Sequence, residues 1–151
     1  MLIKDFLQLE AVVPELGGST PEQVLTEVCR PLAVRTGFTV ERLLEPLLAR
    51  ERLGSTGIGD GVALPHAKVE GVPVLAAAFG RSRQGIDFGS IDSRPATFFF
   101  ALVAPANGHG AHLNALARIS RVFKSAAFRE ALLAAEGAAE LYRLITDEDG
   151  K

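Results

Sequence analysis

The sequence predicts an α/β fold in which helices cover both faces of a central sheet. Two apolar runs of strand length, Val72 to Gly80 and Ala96 to Ala104, are bounded by glycine, proline and charged turns. Phe98, Phe99 and Phe100 are consecutive in the second run, so they cannot all face the same side of a sheet. Since all three are large and apolar, that strand needs a helical layer on each face. The predicted layers are therefore helix, sheet and helix.

Two helices are predicted before the first of these strands. Thr20 is a suitable N-cap for a helix from about Pro21 to Arg35, in which proline takes the first position and Gly37 follows the end. Thr39 then caps a second helix, whose leucines recur on one face. Pro46 lies inside this second helix. Because proline removes a hydrogen-bond donor and clashes with the preceding turn, we expect a kink or a late start there.

The segment after the second helix combines glycines with small polar residues directly before a histidine. Its candidate phosphate-loop residues are Ser55, Thr56, Gly57, Gly59 and Gly61. Glycine permits positive φ angles and close backbone approach, so successive N–H groups can point at an anion. The spacing matches neither a Walker loop nor a dinucleotide-binding fingerprint. We therefore expect a loop that binds phosphate, and no nucleotide cofactor.

His66 is the principal candidate for chemistry. Pro65 fixes its own φ and favours extended backbone before it, so Val62 to Pro65 is predicted to be a strand that ends at His66. A neutral imidazole is a good nucleophile near pH 7, and a phosphoryl group on its nitrogen remains transferable. Arg50, near the end of the second helix, supplies positive charge for the phosphoryl oxygens. An isolated histidine is more often structural, but this context favours a catalytic role.

The second half of the chain is predicted to be mainly helical. Residues 85–95 contain a short extended piece and a turn, which indicate connectors between the two strands. Helices are expected at His112 to about Phe123, Ala126 to Ala134 and Ala138 to Ile145. The last residues, Asp147 to Lys151, are predicted to be a polar tail.

Two further histidines lie between the second strand and these helices. His112 is in the first turn of its helix, where the dipole opposes protonation of the ring, and both a catalytic and a capping role stay open. His109 lies in a glycine-rich loop and is predicted to be solvated. With His66, they do not have the spacing of a zinc site, so no metal is expected.

Composition limits the class of protein. The 151 residues and a formal net charge of -2 are typical of one globular domain over 1–151, without the basic excess of a nucleic-acid-binding protein. No apolar stretch reaches the ~18 residues that span a bilayer. The amino terminus lacks the apolar core of an export signal, and the single cysteine, Cys29, fits a buried site in a reducing compartment. We expect a cytoplasmic protein that does not insert into membranes.

The motif around His66 resembles that of a known family. Arg50 to Gly59 followed by Val62 to His66 is similar to the signature of the fructose/mannitol-type IIA proteins of the bacterial phosphotransferase system (PTS). The resemblance continues through Pro105 and His112 to the ending Glu140 to Asp147. Within the family, the chain most resembles the nitrogen-related IIA proteins.

The resemblance implies a mixed sheet of roughly five strands flanked by helices, which agrees with the predicted layers. It also implies that an HPr-like phosphocarrier protein phosphorylates His66, and that Arg50 and His112 line the phosphoryl site. No cofactor is implied. Two roles stay open: a regulatory IIA protein that binds protein targets according to its phosphorylation, or a sugar-specific component that passes phosphate to a IIB protein.

Overall fold

Six strands form one mixed sheet in the computed structural model, which describes residues Met1–Lys151. The strands are β1 (Leu7–Val13), β2 (Gly57–Gly59), β3 (Val62–Ala63), β4 (His66–Val69), β5 (Ala76–Ile86) and β6 (Ala96–Pro105). Neighbours along the sheet run β1, β5, β6, β3 and β2, and β4 also pairs with β6. β5 is antiparallel to β6 and β2 to β3, whereas the other pairs are parallel. The mixed sheet is confirmed, with six strands instead of five.

Five α-helices flank this sheet. They are α1 (Pro21–Thr36), α2 (Val40–Leu53), α3 (Ala111–Val122), α4 (Ala126–Ala134) and α5 (Gly137–Asp149). α1 packs against α2, whereas α5 packs against α3 and α4, so the helices form two groups around the sheet. The predicted helix, sheet and helix layers are confirmed. None of these helices combines the length and the apolar character needed to cross a membrane.

The phenylalanine run of β6 contacts residues on both faces of the sheet. Phe98 and Phe100 each pack against Phe123, at the end of α3, with ring centroids 5.9 and 6.2 Å away. Phe99 points the other way, and its ring lies 5.2 Å from that of Phe88. All three side chains of the run are buried, as predicted. Aromatic pairs at these distances add to the stability from burial alone.

The α2 helix does not start late. Thr39 caps it by accepting a hydrogen bond from the Arg42 N–H at 3.3 Å, and the helix then continues without a break through Pro46. An internal proline costs about 3 kcal/mol. Leu43 and Leu47 are fully buried on the inner face, and each contributes about 2 kcal/mol. Burial of this face therefore outweighs the cost of the proline.

The β5 strand is longer than predicted at its carboxyl end, and the prediction of a connector at Gly85 and Ile86 is wrong because both residues belong to the strand. Its start is at Ala76 and not at Val72. The extension depends on Arg81, which is fully buried in the strand. Its guanidinium donates to the carbonyls of Leu132 and Ala135, both at 2.7 Å. Because these carbonyls replace water as acceptors, a charged residue here does not end the strand.

The carboxyl terminus is not a polar tail. α5 continues to Asp149, whose side chain is 2% exposed. The Asp149 carboxylate accepts a hydrogen bond from the Ile3 N–H at 2.6 Å and forms an ion pair with Arg118 at 2.5 Å. Arg121 lies 3.7 Å from the same carboxylate. These partners, far away in the sequence, explain why an acidic residue near the end of the chain is buried.

Candidate functional site

β3 and β4 both pair in parallel with β6, one after the other, and Leu64 and Pro65 separate them. Ala63 pairs with Phe99 and His66 with Leu102, so the register is the same on both sides of the interruption. Across the gap, the Leu102 N–H donates to the Pro65 carbonyl at 2.9 Å. The predicted strand Val62 to Pro65 is therefore wrong in its bounds, and His66 begins β4 instead of following a strand. Proline has no N–H, which explains why pairing pauses before the histidine.

The His66 ring is oriented by the backbone two residues earlier. His66 Nδ1 lies 2.8 Å from the Leu64 carbonyl oxygen, and the ring is half-buried. A carbonyl oxygen only accepts hydrogen bonds, so in this contact Nδ1 carries the proton. The second nitrogen, Nε2, then has a free lone pair in the neutral ring. The geometry thus leaves Nε2 as the ring nitrogen with an available lone pair.

His112 and Lys68 lie in the electrostatic environment of His66. Burial lowers the pKa of the His112 imidazole, and the positive charges of Lys68 and of protonated His66 lower this pKa further. His66 and Lys68 are two residues apart in β4, so they face the same side of the sheet. Lys68 is exposed and takes part in no ion pair. The structure therefore brings together two histidines and a free ammonium group.

Arg50 is in the last turn of α2, which packs against β4. Its Nη1 donates to the Gly54 carbonyl at 2.8 Å, just beyond the end of the helix. Arg50 forms no ion pair, and it makes no hydrogen bond with His66. The remaining N–H donors of the guanidinium are free to bind an anion.

The predicted phosphate loop is folded as a β-hairpin. β2 and β3 pair through Gly57 with Ala63 and Gly59 with Val62, which leaves Asp60 and Gly61 as a two-residue turn. Both turn residues have positive φ, 57° and 78°, as a type I′ turn requires. The dipeptide Asp-Gly is the signal in the sequence that favours this turn. Here the positive φ of Gly61 serves the hairpin.

Hydrogen bonds within the protein already use part of this segment. The Gly57 N–H donates to Ser55 Oγ at 3.0 Å, and Ser55 Oγ donates to the Phe88 carbonyl. A Cβ atom on Gly57 would lie 2.9 Å from Ser90 Cα, so glycine is required there by close packing. The loop expectation is thus wrong for the conformation of residues 57–61, while their role toward phosphate stays a prediction.

Glu51 is a residue of this region that the sequence analysis did not select. Its carboxylate accepts a hydrogen bond from the Thr56 N–H at 3.2 Å and a second, short one from the Thr56 hydroxyl. Burial raises the pKa of Glu51, while the bonds from Thr56 and the charge of Arg50 act in the opposite direction. A carboxylate directly after Arg50, followed by a polar Ser-Thr pair, was the only signal in the sequence.

His109 lies apart from these contacts. It is exposed, with a φ of 52°, in the turn before α3. No cluster of three or more histidine, cysteine, aspartate or glutamate side chains converges in a way that would hold a metal ion. The prediction that His109 is solvated is confirmed.

The fold and this arrangement define a class of α/β protein with two histidines and basic groups at the edge of a mixed sheet. The chain belongs to the phosphoenolpyruvate-dependent sugar phosphotransferase system EIIA 2 family, whose model matches residues 5–148. It is accordingly a IIA-type phosphotransfer component. The resemblance noted in the sequence is thereby confirmed.

Relatives of both the regulatory and the sugar-specific kind are similar to the chain. The nitrogen regulatory protein of Bradyrhizobium diazoefficiens is 36% identical over 145 residues, 96% of this chain and 95% of that protein. The PTS system fructose-specific EIIA component of Haloferax volcanii is 38% identical over 136 residues, 89% of this chain and 88% of that protein. The crystal structure of nitrogen regulatory protein IIA-Ntr from Neisseria meningitidis superposes with a TM-score of 0.90 at 32% identity, covering 95% of this chain and 99% of that one.

Proposed function

We propose that His66 accepts a phosphoryl group on Nε2 from the phosphohistidine of an HPr-like carrier protein, and that the phosphorylation state controls binding to regulatory protein targets. One observation carries this proposal: the Leu64 carbonyl holds the Nδ1 proton, so the Nε2 lone pair is available in the neutral ring.

The transfer needs no cofactor and no net movement of protons. The bond between phosphorus and the carrier nitrogen breaks as the bond between phosphorus and His66 Nε2 forms. His66 keeps its Nδ1 proton and becomes a phosphorylated imidazolium, while a carrier ring protonated on its second nitrogen leaves as neutral imidazole. The Leu64 carbonyl accepts a stronger hydrogen bond from this cation than from the neutral ring, which favours the product.

Basic groups near His66 supply the charge that a phosphoryl group requires. Lys68 has a free ammonium group on the same face of the sheet, and Arg50 has unused guanidinium donors on the helix that packs against β4. Charges placed in advance around the phosphoryl oxygens stabilise the transition state. Burial and the charges of Lys68 and His66 lower the pKa of His112 and favour its neutral ring, which can orient the phosphoryl group or the His66 ring through a hydrogen bond.

The regulatory role is favoured by the extent of similarity to nitrogen regulatory proteins. The relative at 36% identity and the structure with a TM-score of 0.90 are both of this kind, and each match covers at least 95% of both proteins. The second candidate function is a sugar-specific IIA component that passes phosphate to a IIB protein. The 38% identity to a fructose-specific EIIA component supports this alternative. Both functions place the protein in the cytoplasm, and in both we propose that residues 1–151 act as one domain.

The test is phosphorylation by a purified phosphorylated carrier, measured as acid-labile phosphate on the protein. We expect full incorporation in the unsubstituted protein and in His109→Ala, and none in His66→Ala. Incorporation that is unchanged in His66→Ala would refute the assignment of the phosphorylated residue. Fast loss of the label to a IIB protein would favour the sugar-transport role, whereas stable, phosphorylation-dependent binding to a target would favour regulation.

A further inference from the structure

A continuous hydrogen-bonded chain connects the end of α2 to the His66 ring. The Glu51 carboxylate accepts both the N–H and the hydroxyl of Thr56. The Thr56 carbonyl accepts the Leu64 N–H at 3.0 Å. The Leu64 carbonyl in turn contacts His66 Nδ1 at 2.8 Å. We call these four residues, Glu51, Thr56, Leu64 and His66, the Glu51–His66 chain.

We propose that Glu51 is a positioning residue for phosphoryl transfer, which holds Thr56 and Leu64 so that the Leu64 carbonyl keeps the proton of His66 on Nδ1. The inference rests on the proposed function for its kinetic consequence. Its effect on the histidine tautomer does not depend on that function.

The two linking residues are held tightly because they are buried. Thr56 and Leu64 are each 5% exposed, so water does not replace a lost partner at either residue. Leu64 belongs to the two-residue interruption between β3 and β4 and does not appear in the pairing of either strand with β6. Its N–H is bound by Thr56 instead of by the sheet. The Leu64 carbonyl therefore lies between two attachments, the bond of the Leu64 N–H to Thr56 and the bond of the Pro65 carbonyl to Leu102 of β6.

Glu51 is the anchor of this chain. The side chain is half-buried and reaches five residues along the sequence to bind both donors of Thr56. A carboxylate that accepts two hydrogen bonds from one residue fixes both the position and the orientation of that residue. Without it, the Thr56 N–H and hydroxyl would lose their partner in a buried place, and the segment would have to move to reach water.

The expected consequence is a change in the protonation pattern of a ring that Glu51 does not touch. When the Leu64 carbonyl is free to move, the proton of neutral His66 distributes between both ring nitrogens. The fraction of molecules with a free Nε2 lone pair then falls, and the hydrogen bond that stabilises the imidazolium product weakens. We expect the rate of phosphoryl uptake to fall about tenfold, the effect of losing roughly one hydrogen bond in the transition state.

The variants are Glu51→Ala and Thr56→Val, with Glu27→Ala as the matched control. Glu27 also uses both carboxylate oxygens to bind two backbone donors, the N–H groups of Gly17 and Gly18 at 2.9 and 2.6 Å. It lies in α1, and no hydrogen bond connects it to His66. Removing it therefore removes a comparable helix-to-loop contact and leaves the Glu51–His66 chain intact. Thr56→Ser keeps the hydroxyl and tests for rescue.

Two measurements are made on each variant. The first is the pair of ¹⁵N chemical shifts of the His66 ring in the unphosphorylated protein, which reports the tautomer without any phosphate donor. The second is the rate of phosphoryl uptake as a function of carrier concentration. We expect Glu51→Ala and Thr56→Val to move the tautomer away from Nδ1–H and to lower kcat about tenfold with little change in KM. Glu27→Ala should match the unsubstituted protein in both, and Thr56→Ser, which keeps the hydroxyl, should recover most of what Thr56→Val loses.

The outcomes separate this inference from the proposed function. If Glu51→Ala and Glu27→Ala give the same tautomer in folded protein, the positioning role is refuted, whatever the transfer rates. If the tautomer shifts in Glu51→Ala but even the unsubstituted protein accepts no phosphoryl group, the proposed function fails while Glu51 still positions the ring. Should Glu51→Ala not fold, Thr56→Val and Thr56→Ser provide the same comparison at the next residue of the chain.

Discussion

Replacing Asp149 by alanine tests whether the end of the chain is part of the folded core. The substitution removes the acceptor of the Ile3 N–H, which is fully buried, and the partner of Arg118, whose side chain is 27% exposed. A charged hydrogen bond to a buried donor contributes about 2 kcal/mol. The pair with Arg118 is partly solvated and is expected to add about 1 kcal/mol. The free energy of unfolding should fall by about 3 kcal/mol.

The assay is equilibrium unfolding in urea, followed by far-UV circular dichroism. For a slope of about 2 kcal/mol per molar urea, the loss moves the midpoint down by about 1.5 M with the slope unchanged. Asp149→Asn keeps an acceptor for Ile3 and loses only the charge, so we expect a loss of about 1 kcal/mol. Asp147 pairs with Arg143 on the exposed side of α5, at 3.5 Å. Asp147→Ala should therefore cost about 0.5 kcal/mol or less. Equal midpoints for Asp149→Ala and Asp147→Ala would refute the reasoning.

Three further predictions concern a thiol, a titration and a packing contact. Burial raises the pKa of Cys29 to about 12, so native protein at pH 8.5 should resist alkylation that urea-unfolded protein undergoes at once. The unfolded thiol ionises near pH 8.5, whereas the native thiol stays protonated at that pH. The contribution of Cys29 to the free energy of unfolding is therefore complete below pH 8.5 and is lost as the pH rises from there to about 12. Lys68→Met should raise the pKa of His112 in an NMR titration, because it removes a positive charge that lowers that pKa. Gly57→Ala should destabilise the protein by about 2 kcal/mol in urea unfolding, since its Cβ would lie 2.9 Å from Ser90 Cα.

Each of these three has its own control and contrary result. Cys29→Ala should flatten the dependence of stability on pH between 8.5 and 10, and an unchanged slope would contradict the role of the thiol. Lys124 follows α3 at the end far from His112, so Lys124→Met should leave the His112 titration unchanged. Equal shifts for both lysine variants would indicate a general effect of net charge. Gly17 has only one atom near the added Cβ, at 3.8 Å, and Gly17→Ala should be tolerated where Gly57→Ala is not.

The sequence predicted the parts of the fold whose cause is local. Caps and terminators act within one turn of a helix, and α1 duly begins after Thr20 and ends before Gly37, whose φ is 78°. The phenylalanine run predicted burial on both faces because alternation in a strand is a property of the backbone. These features need no knowledge of distant contacts.

The parts that were missed depend on partners far along the chain. β1 was not predicted, and its pairing with β5 shifts register between Leu7 and Val12, so its burial does not alternate cleanly. Arg81 is charged and follows Gly80, so the sequence predicts a turn there. In the structure, carbonyls more than 50 residues away accept the hydrogen bonds of its guanidinium and keep it within the strand. The burial of Asp149 also depends on a distant partner, because its carboxylate accepts a hydrogen bond from the Ile3 N–H at the opposite end of the sequence.

The candidate site shows the same division. The motif predicted the type of chemistry at His66, because proline and glycine act on their neighbours. It did not predict the Glu51–His66 chain, because two of its links are contacts with the Thr56 backbone, which no side-chain pattern encodes. The motif also predicted that the glycines form an anion-binding loop. In the structure, Gly61 is explained by the Asp60–Gly61 turn and Gly57 by its close packing against Ser90.

The register shift in β1 bears on how copies of this protein behave when they are crowded together. β1 is the outermost strand on its side of the sheet, and such an edge presents unpaired backbone groups to other molecules. The irregular stretch between Leu7 and Val12 contains three exposed residues, one of them the acidic Glu10. The backbone N–H and C=O groups along this edge are irregularly spaced, and Glu10 adds a negative charge. Edge-to-edge pairing with a strand of another molecule, and thus fibril formation through β1, is therefore disfavoured.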